Sequence, residues 1–266
     1  MIIKISHANQ EYSVDTSTAI DISIPYNFNG KQPRFYDVKK GTSTPLKIGS
    51  KLWSVSDGAS CNVPEISLNI HCTGTHTEGV GHLLKNTGDI GKLLLEGFLP
   101  SVLISVNTVL FGNCNDNYHC LVKDNEPVIS ADTIKKKIKQ WKIKSPKALI
   151  IRTVPNKIEK KFLNFNKIIT PFFTNDALFF INKIGIDHLI IDLPSVDRMS
   201  DDGILGNHRI FWKDSHNKIN HYSKKTITEL AYIPNKVKDG FYFLNIQIPH
   251  FVSDAAPSRP LIYKIL

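Results

Sequence analysis

No stretch of this 266-residue sequence approaches the roughly 20 consecutive apolar residues that a membrane-spanning helix needs. The segment from Met1 to Tyr12 lacks the cationic start and apolar core of a secretory signal, so a cytoplasmic location is expected. Cysteine is scarce. Cys61, Cys72, Cys114 and Cys120 are too few for a disulfide scaffold in a chain this long, and reduced thiols suit the cytosol. Cys114, His119 and Cys120 lie close together but lack the paired two-residue spacings of a structural zinc ribbon, and they read as a loop. The Gly-x-Ser-x-Gly elbow of a serine hydrolase is missing, as are the phosphate-loop and dinucleotide glycine patterns. Neither a repeat nor a low-complexity linker interrupts the chain, so a single domain over residues 1–266 is expected.

What is present is the composition of an ordinary folded protein: 41% hydrophobic and 21% charged residues argue against disorder. An excess of 33 Lys+Arg over 24 Asp+Glu raises the question of a polyanionic partner. The lysines are mostly scattered. Their densest run, Lys135 to Lys147, alternates with Ile134, Ile138 and Trp141 at helical offsets, as on the wet face of an amphipathic helix. No aromatic nucleic-acid motif accompanies it, so neither nucleic acid nor membrane is expected as a partner.

Alternating and apolar runs predict strands at Ile20–Ile24, Glu65–Cys72, Ser101–Val106, Ala148–Ile151, His188–Asp192, Thr226–Ile233 and Gly240–Ile248. Ser130 or Asp132 caps a predicted helix that runs to about Trp141. A second helix covers about Thr174 to Lys183 and stops at Gly185, and Ile90–Leu95 reads as a short helix. Pro25–Pro33 and Asp197–Gly206 read as loops, with Asp201 and Asp202 on a solvated turn. Helix-to-strand units of this kind indicate an α/β fold.

The chemistry is concentrated in His71-Cys72-Thr73-Gly74-Thr75-His76-Thr77-Glu78-Gly79-Val80-Gly81-His82, where three histidines and a carboxylate fall within twelve residues. Imidazole and carboxylate are the usual ligands of zinc and of borderline divalent ions such as manganese. On an extended backbone His76 and Glu78 share a face and reach one ion. His71, five residues before His76, needs a turn around Gly74 to join them, and Gly79 and Gly81 allow His82 to return to the same pocket. Trp53, Phe172 and Phe173 are candidates either for an aryl pocket or for the core.

This segment resembles the cyclase family that includes the bacterial kynurenine formamidases, whose hallmark is His-x-Gly-Thr-His-x-Asp-x-Pro-x-His. Gly74, Thr75, His76 and His82 match; Cys72 stands at the first histidine, Glu78 replaces Asp and Val80 replaces Pro. A family branch with one extra residue accommodates His71 in place of Cys72. Gly185-Ile186-Asp187, Pro194-Ser195-Val196-Asp197 and the closing Asp254-Ala255-Ala256-Pro257-Ser258-Arg259-Pro260 are similar to further family stretches, so the likeness runs from about Tyr26 onward.

The resemblance implies an α/β fold with a central barrel-like sheet flanked by helices, and a homodimer or homotetramer. It adds His208 and Glu229 to His71, His76 and Glu78 as ligands of one or two divalent ions, zinc before manganese, with His216 and His221 as rivals of His208. Such an ion lowers the pKa of water toward about 7 and polarises a carbonyl. His82 matches the family's proton-transferring position. The implied activity is hydrolysis of a carbon–nitrogen amide bond in a small molecule, with N-formylkynurenine as the provisional substrate. Hydrolysis of a cyclic amide, or metal or ligand binding without turnover, are the alternatives.

Overall fold

The computed structural model describes residues 1–141 and 145–266; Lys142 and Lys144 of the lysine-rich run lie outside the described residues. The apolar run beginning at Ala148 forms the centre of the architecture. It extends to Val154 and is buried along almost its whole length, as a strand covered on both faces must be. In chain order the strands of the large sheet are β1 (Ile20–Asp21), β2 (His76–Glu78), β3 (Leu99–Asn107), β4 (Ala148–Val154) and β5 (His188–Ile191). They continue with β6 (Thr226–Glu229), β7 (Gly240–Gln247), β8 (Ala255–Pro257) and β9 (Arg259–Lys264). Across the sheet the order is β8-β2-β6-β5-β4-β3-β7-β9-β1.

The four strands β3 to β6 are parallel, and the strands flanking them on either side are antiparallel. The sheet curls into a half-barrel, in agreement with the expected barrel-like α/β fold. Neighbouring residues of one strand serve opposite faces. Leu149 and Ile151 pack with Ile134, Leu178 and Phe211 of the helices α1 (Ala131–Ile138), α2 (Asn175–Lys183) and α3 (Gly206–Phe211). Ala148 and Ile150 face the other way, toward Ile22, Leu244 and Ile262.

The predicted starts of the helices hold because their caps are local. Ser130 accepts a hydrogen bond from the Thr133 N–H, and Thr174 accepts one from Ala177. Other boundaries differ. The α1 helix ends at Ile138, short of Trp141, and Ile90–Leu95 contributes only the 3-10 turn Ile90–Lys92. The run Thr226–Ile233 leaves the sheet after Glu229, because Leu230 takes a left-handed φ of 53° and its N–H turns to the Leu193 carbonyl. Glu65–Cys72 is a strand only over Pro64–Ser67, then turns. The short α3 helix directly after the Asp197–Gly206 loop was not anticipated. Among the described residues no helix is long and apolar enough to cross a membrane.

One charge-sensitive position sits in this framework. His188, at the start of β5, contacts the Thr226 hydroxyl at 2.9 Å through Nδ1, and burial pushes its imidazole down to about 4. The unfolded chain takes up this proton near pH 6.5, whereas the folded chain resists it until about pH 4. Its contribution to stability is therefore complete above pH 6.5 and is lost as the pH falls through about 4. Urea unfolding is expected to show a smaller loss of stability between pH 7 and pH 4.5 for His188→Gln than for the wild type; equal losses would exclude His188 as a source of acid sensitivity.

Candidate metal centre

Strand register assembles the inner wall of the site. Pairing of β2 with β6 sets His76 opposite Glu229 and Glu78 opposite Ile227, while β8 sets Pro257 opposite His76 and Ala255 opposite Glu78. His76, Glu78 and Glu229 share one face. Thr77 points the other way, where its hydroxyl meets that of Thr228 at 2.7 Å. All three site residues on that face are buried.

The chain before β2 turns over residues 70–74 and carries His71 back to this face. The glycines are required by close approach and not by left-handed backbone. A Cβ on Gly74 would lie 2.5 Å from the Tyr26 ring, and one on Gly81 would lie 1.7 Å from the Thr87 carbonyl oxygen. His82 follows on the 3-10 turn Val80–Leu83. His208 arrives from α3, preceded by Leu205 at φ 51°.

Around the Glu78 carboxylate, His71 Nδ1 lies 3.0 Å from Oε2, His82 Nε2 3.9 Å from Oε2 and His208 Nε2 2.9 Å from Oε1. Glu229 closes the group, 3.5 Å from His76 Nε2 and 3.7 Å from His208 Nε2, with its Oε1 accepting the Val196 N–H. The outer nitrogen of each imidazole meets an acceptor. His76 Nδ1 faces the Gly74 carbonyl at 3.0 Å, His208 Nδ1 faces Asp197 at 2.7 Å, and His71 Nε2 faces Asp254 at 3.0 Å. In their neutral forms these rings donate outward and turn lone pairs inward.

With those rings neutral, the inward groups are imidazole lone pairs and two carboxylates; with them protonated, His71 and His208 donate to Glu78. Buried His76 Nε2 has no hydrogen-bond partner. A divalent cation satisfies such an array, and outward hydrogen bonding of each imidazole is the support that metal-ligating histidines usually have. Two ligand triads meet here, His71-His76-Glu78 and Glu78-His82-His208, and Glu78 belongs to both.

The electrostatics report the same crowding of negative charge. Burial alone would raise the Glu78 carboxyl, yet the imidazoles of His82 and His208 hold it well below the usual carboxylate range. Burial opposes protonation of His208, but Glu78 and Asp197 carry it well above an ordinary histidine. His71 is likewise opposed by burial and raised to about 10 by Asp254 and Glu78.

The structure brings His71, His76, Glu78, His82, His208 and Glu229 together. Cys72 goes elsewhere: its thiol packs among Ile24, Phe35, Phe165, Leu230 and Tyr232, and burial pushes it up to about 11. His216 and His221 are exposed, outside the cluster. Phe172 and Phe173 are fully buried and belong to the core, leaving neither free to line a ligand pocket.

Sequence reasoning missed the outer acceptors. Asp197 and Asp254 both lie in stretches that carry the family resemblance, which was the available signal. Asp201 corrects another reading: it is buried, and only Asp202 occupies the solvated turn. Asp201 accepts hydrogen bonds from the Gly203 and Leu205 N–H groups and lies 3.5 Å from His119 Nε2.

The His119-Asp197-Asp201 group has metal-like composition but the wrong proton arrangement. The Asn207 amide nitrogen donates to the Phe173 and Val196 carbonyls, so its oxygen accepts from Asn175 Nδ2. That same nitrogen donates to His119 Nδ1, which places the His119 proton on Nε2, facing the acids. In that tautomer Nε2 carries a proton and offers no lone pair to a metal, and it is buried without a hydrogen-bond partner.

The chain is similar to known proteins over most of its length. The Cyclase family, described as "Putative cyclase", matches residues 20–198, more than half of the chain. A kynurenine formamidase of Bacillus thuringiensis subsp. konkukian is 26% identical over 259 residues, covering 94% of this chain and 99% of its own. An isatin hydrolase solved with the product analogue thioisatinate superposes with a TM-score of 0.62 at 16% identity, covering 94% of this chain and 93% of its own. A predicted metal-dependent hydrolase from Bacillus stearothermophilus gives 0.57 at 18% identity, covering 92% and 98%. With a family match across most of the fold and the motif residues gathered at one centre, the chain belongs to the cyclase family.

Proposed function

We propose that the protein is a metal-dependent hydrolase of carbon–nitrogen amide bonds, with aryl formamides as its substrates and N-formylkynurenine as the first compound to test. The observation that carries this reading is the convergence of His71, His76 and His208 with two buried carboxylates, Glu78 and Glu229, at one centre beside His82. His71, His76, Glu78, His208 and Glu229 would hold one or two divalent ions, zinc before manganese, since nitrogen and carboxylate ligands suit both. A divalent ion in that position supplies Lewis-acid activation of water and of the amide carbonyl.

The rest is the work of this chain. His82 donates from Nδ1 to Asp254 at 2.9 Å, which leaves its Nε2 lone pair directed inward, 3.9 Å from Glu78. That nitrogen takes the proton of the attacking water and returns it to the leaving nitrogen. His82 and His71 are partly exposed, whereas His76, Glu78 and Glu229 are closed off, so substrate reaches the site from the His82 side.

The test is metal analysis of the purified protein, followed by turnover assays on formyl-aryl-amide and cyclic-amide panels. Stoichiometric zinc or manganese and release of formate from the aryl formamides are expected. Preferential opening of cyclic amides would favour the alternative that the fold's likeness to an isatin hydrolase supports. Full metal occupancy with no hydrolysis in either panel would make the protein a binding protein. We propose a cytoplasmic location on the strength of its free cysteines. We also propose a homodimer or homotetramer, testable by light scattering: the segment 42–67 exposes Ile48, Leu52, Val55, Val63 and Ile66 by 37–58% each.

A further inference from the structure

We infer that Asp254 is the positioning residue of proton transfer: a single carboxylate that fixes the tautomer of His82 and aligns it with His71. The inference rests on the proposed assignment of His82 as the proton carrier. Asp254 Oδ2 accepts from His82 Nδ1 at 2.9 Å and from His71 Nε2 at 3.0 Å, so both rings are tied to one oxygen. The two rings lie 4.4 Å apart between centroids, tilted by 32°.

The position of the carboxylate is set by backbone and not by a free side chain. Asp254 immediately precedes β8, and its carbonyl accepts the Gly79 N–H at 3.0 Å, next to the β2 strand that carries His76 and Glu78. The Ser253 carbonyl accepts the Ile90 N–H at 2.9 Å, and the Ser253 hydroxyl donates to Asp254 Oδ1 at 3.0 Å. With Oδ1 engaged by Ser253, Oδ2 is the oxygen turned to the imidazoles.

His71, His82 and Asp254 also form a group of metal-ligand composition, but their arrangement argues for an outer role. His71 turns its other nitrogen, Nδ1, toward Glu78, and His82 does the same with Nε2. Asp254 therefore sits behind both rings with respect to the metal-binding face. A carboxylate in that place selects the tautomer whose inward nitrogen is a base, and it stabilises the imidazolium formed when that base takes a proton.

The test compares Asp254→Ala and Asp254→Glu with the wild type, all zinc-loaded, after thermal melts show that each variant is folded. Nitrogen-15 NMR of the histidine rings reads the His82 tautomer without any substrate. The wild type is expected to carry the His82 proton on Nδ1, and Asp254→Ala to lose that preference while retaining its zinc. In turnover, Asp254→Ala is expected to lower kcat by about 10- to 100-fold with KM changed less than about twofold, and Asp254→Glu to recover part of the loss. An unchanged His82 tautomer in Asp254→Ala would overturn the inference, as would full recovery of kcat on adding zinc, which would mean that Asp254 acts through metal retention alone. If the wild type turns over no amide while the tautomer still depends on Asp254, the proposed function fails and the role in proton transfer with it, leaving Asp254 only as the residue that fixes the His82 tautomer.

Discussion

His76→Ala is expected to give a folded protein that cannot retain a divalent ion. His76 is fully buried, its Nδ1 is committed to the Gly74 carbonyl, and its Nε2 has no protein hydrogen-bond partner. Removing it takes away an inward ligand from the centre that Glu78 and Glu229 share. The loss of metal affinity is expected to exceed the roughly 10- to 100-fold typical of losing an outer partner, because a ligand itself is removed. Plasma mass spectrometry after dialysis reads occupancy directly. Thermal melts provide the second reading: an ion at about 100 times its Kd stabilises a folded protein by about 2.7 kcal/mol, so a chelator lowers the wild-type Tm. It leaves the Tm of His76→Ala unchanged. A variant that keeps stoichiometric metal would exclude His76 from the centre, and His76→Gln controls for the cavity left by truncation.

The second large effect separates binding from chemistry. In His82→Ala the inward array of His71, His76, Glu78, His208 and Glu229 is intact, so metal content is expected to match the wild type. Turnover is expected to fall by about 10²- to 10⁴-fold, the contribution of a positioned general acid–base. The geometry offers a competing outcome, because Glu78, His82 and His208 also form a ligand triad. Parallel loss of metal and activity would make His82 a ligand and remove the proton-transfer role. Retention of both would place the proton carrier elsewhere.

How far the centre was legible in the sequence depended on distance along the chain. His76 and Glu78 are two residues apart on an extended segment, and their common face follows from backbone geometry alone. The same locality made the starts of the helices near Ser130 and Thr174 readable. His208 and Glu229 came from family resemblance, since no local rule connects them to β2. The extent of Thr226–Glu229 and the presence of α3 escaped pattern reading because both depend on left-handed residues, Leu230 and Leu205, at which the chain changes direction. Gly74 and Gly81 were recognised as necessary, but for backbone freedom. The structure shows that Tyr26 and the Thr87 carbonyl occupy the space where their side chains would be.

By itself the sequence determined the residue types of a nitrogen-and-carboxylate centre, its nucleus on one short strand and the α/β character of the fold. These properties depend on side-chain chemistry and on periodicities of two and 3.6 residues, which are local. Tertiary structure decided the rest. Pairing of Thr77 with Thr228, 151 positions apart, sets His76 beside Glu229, and pairing of β8 with β2 brings Asp254 behind His71 and His82. The choice of His71 over Cys72 at the Glu78 face is equally tertiary: one side chain turns toward the carboxylate and the other into the apolar cluster around Phe35. Which nitrogen of His71, His82 and His208 faces the centre is set by acceptors from other segments, Asp254 and Asp197. Proton positions follow hydrogen-bond partners, and those partners exist only once the sheet has closed.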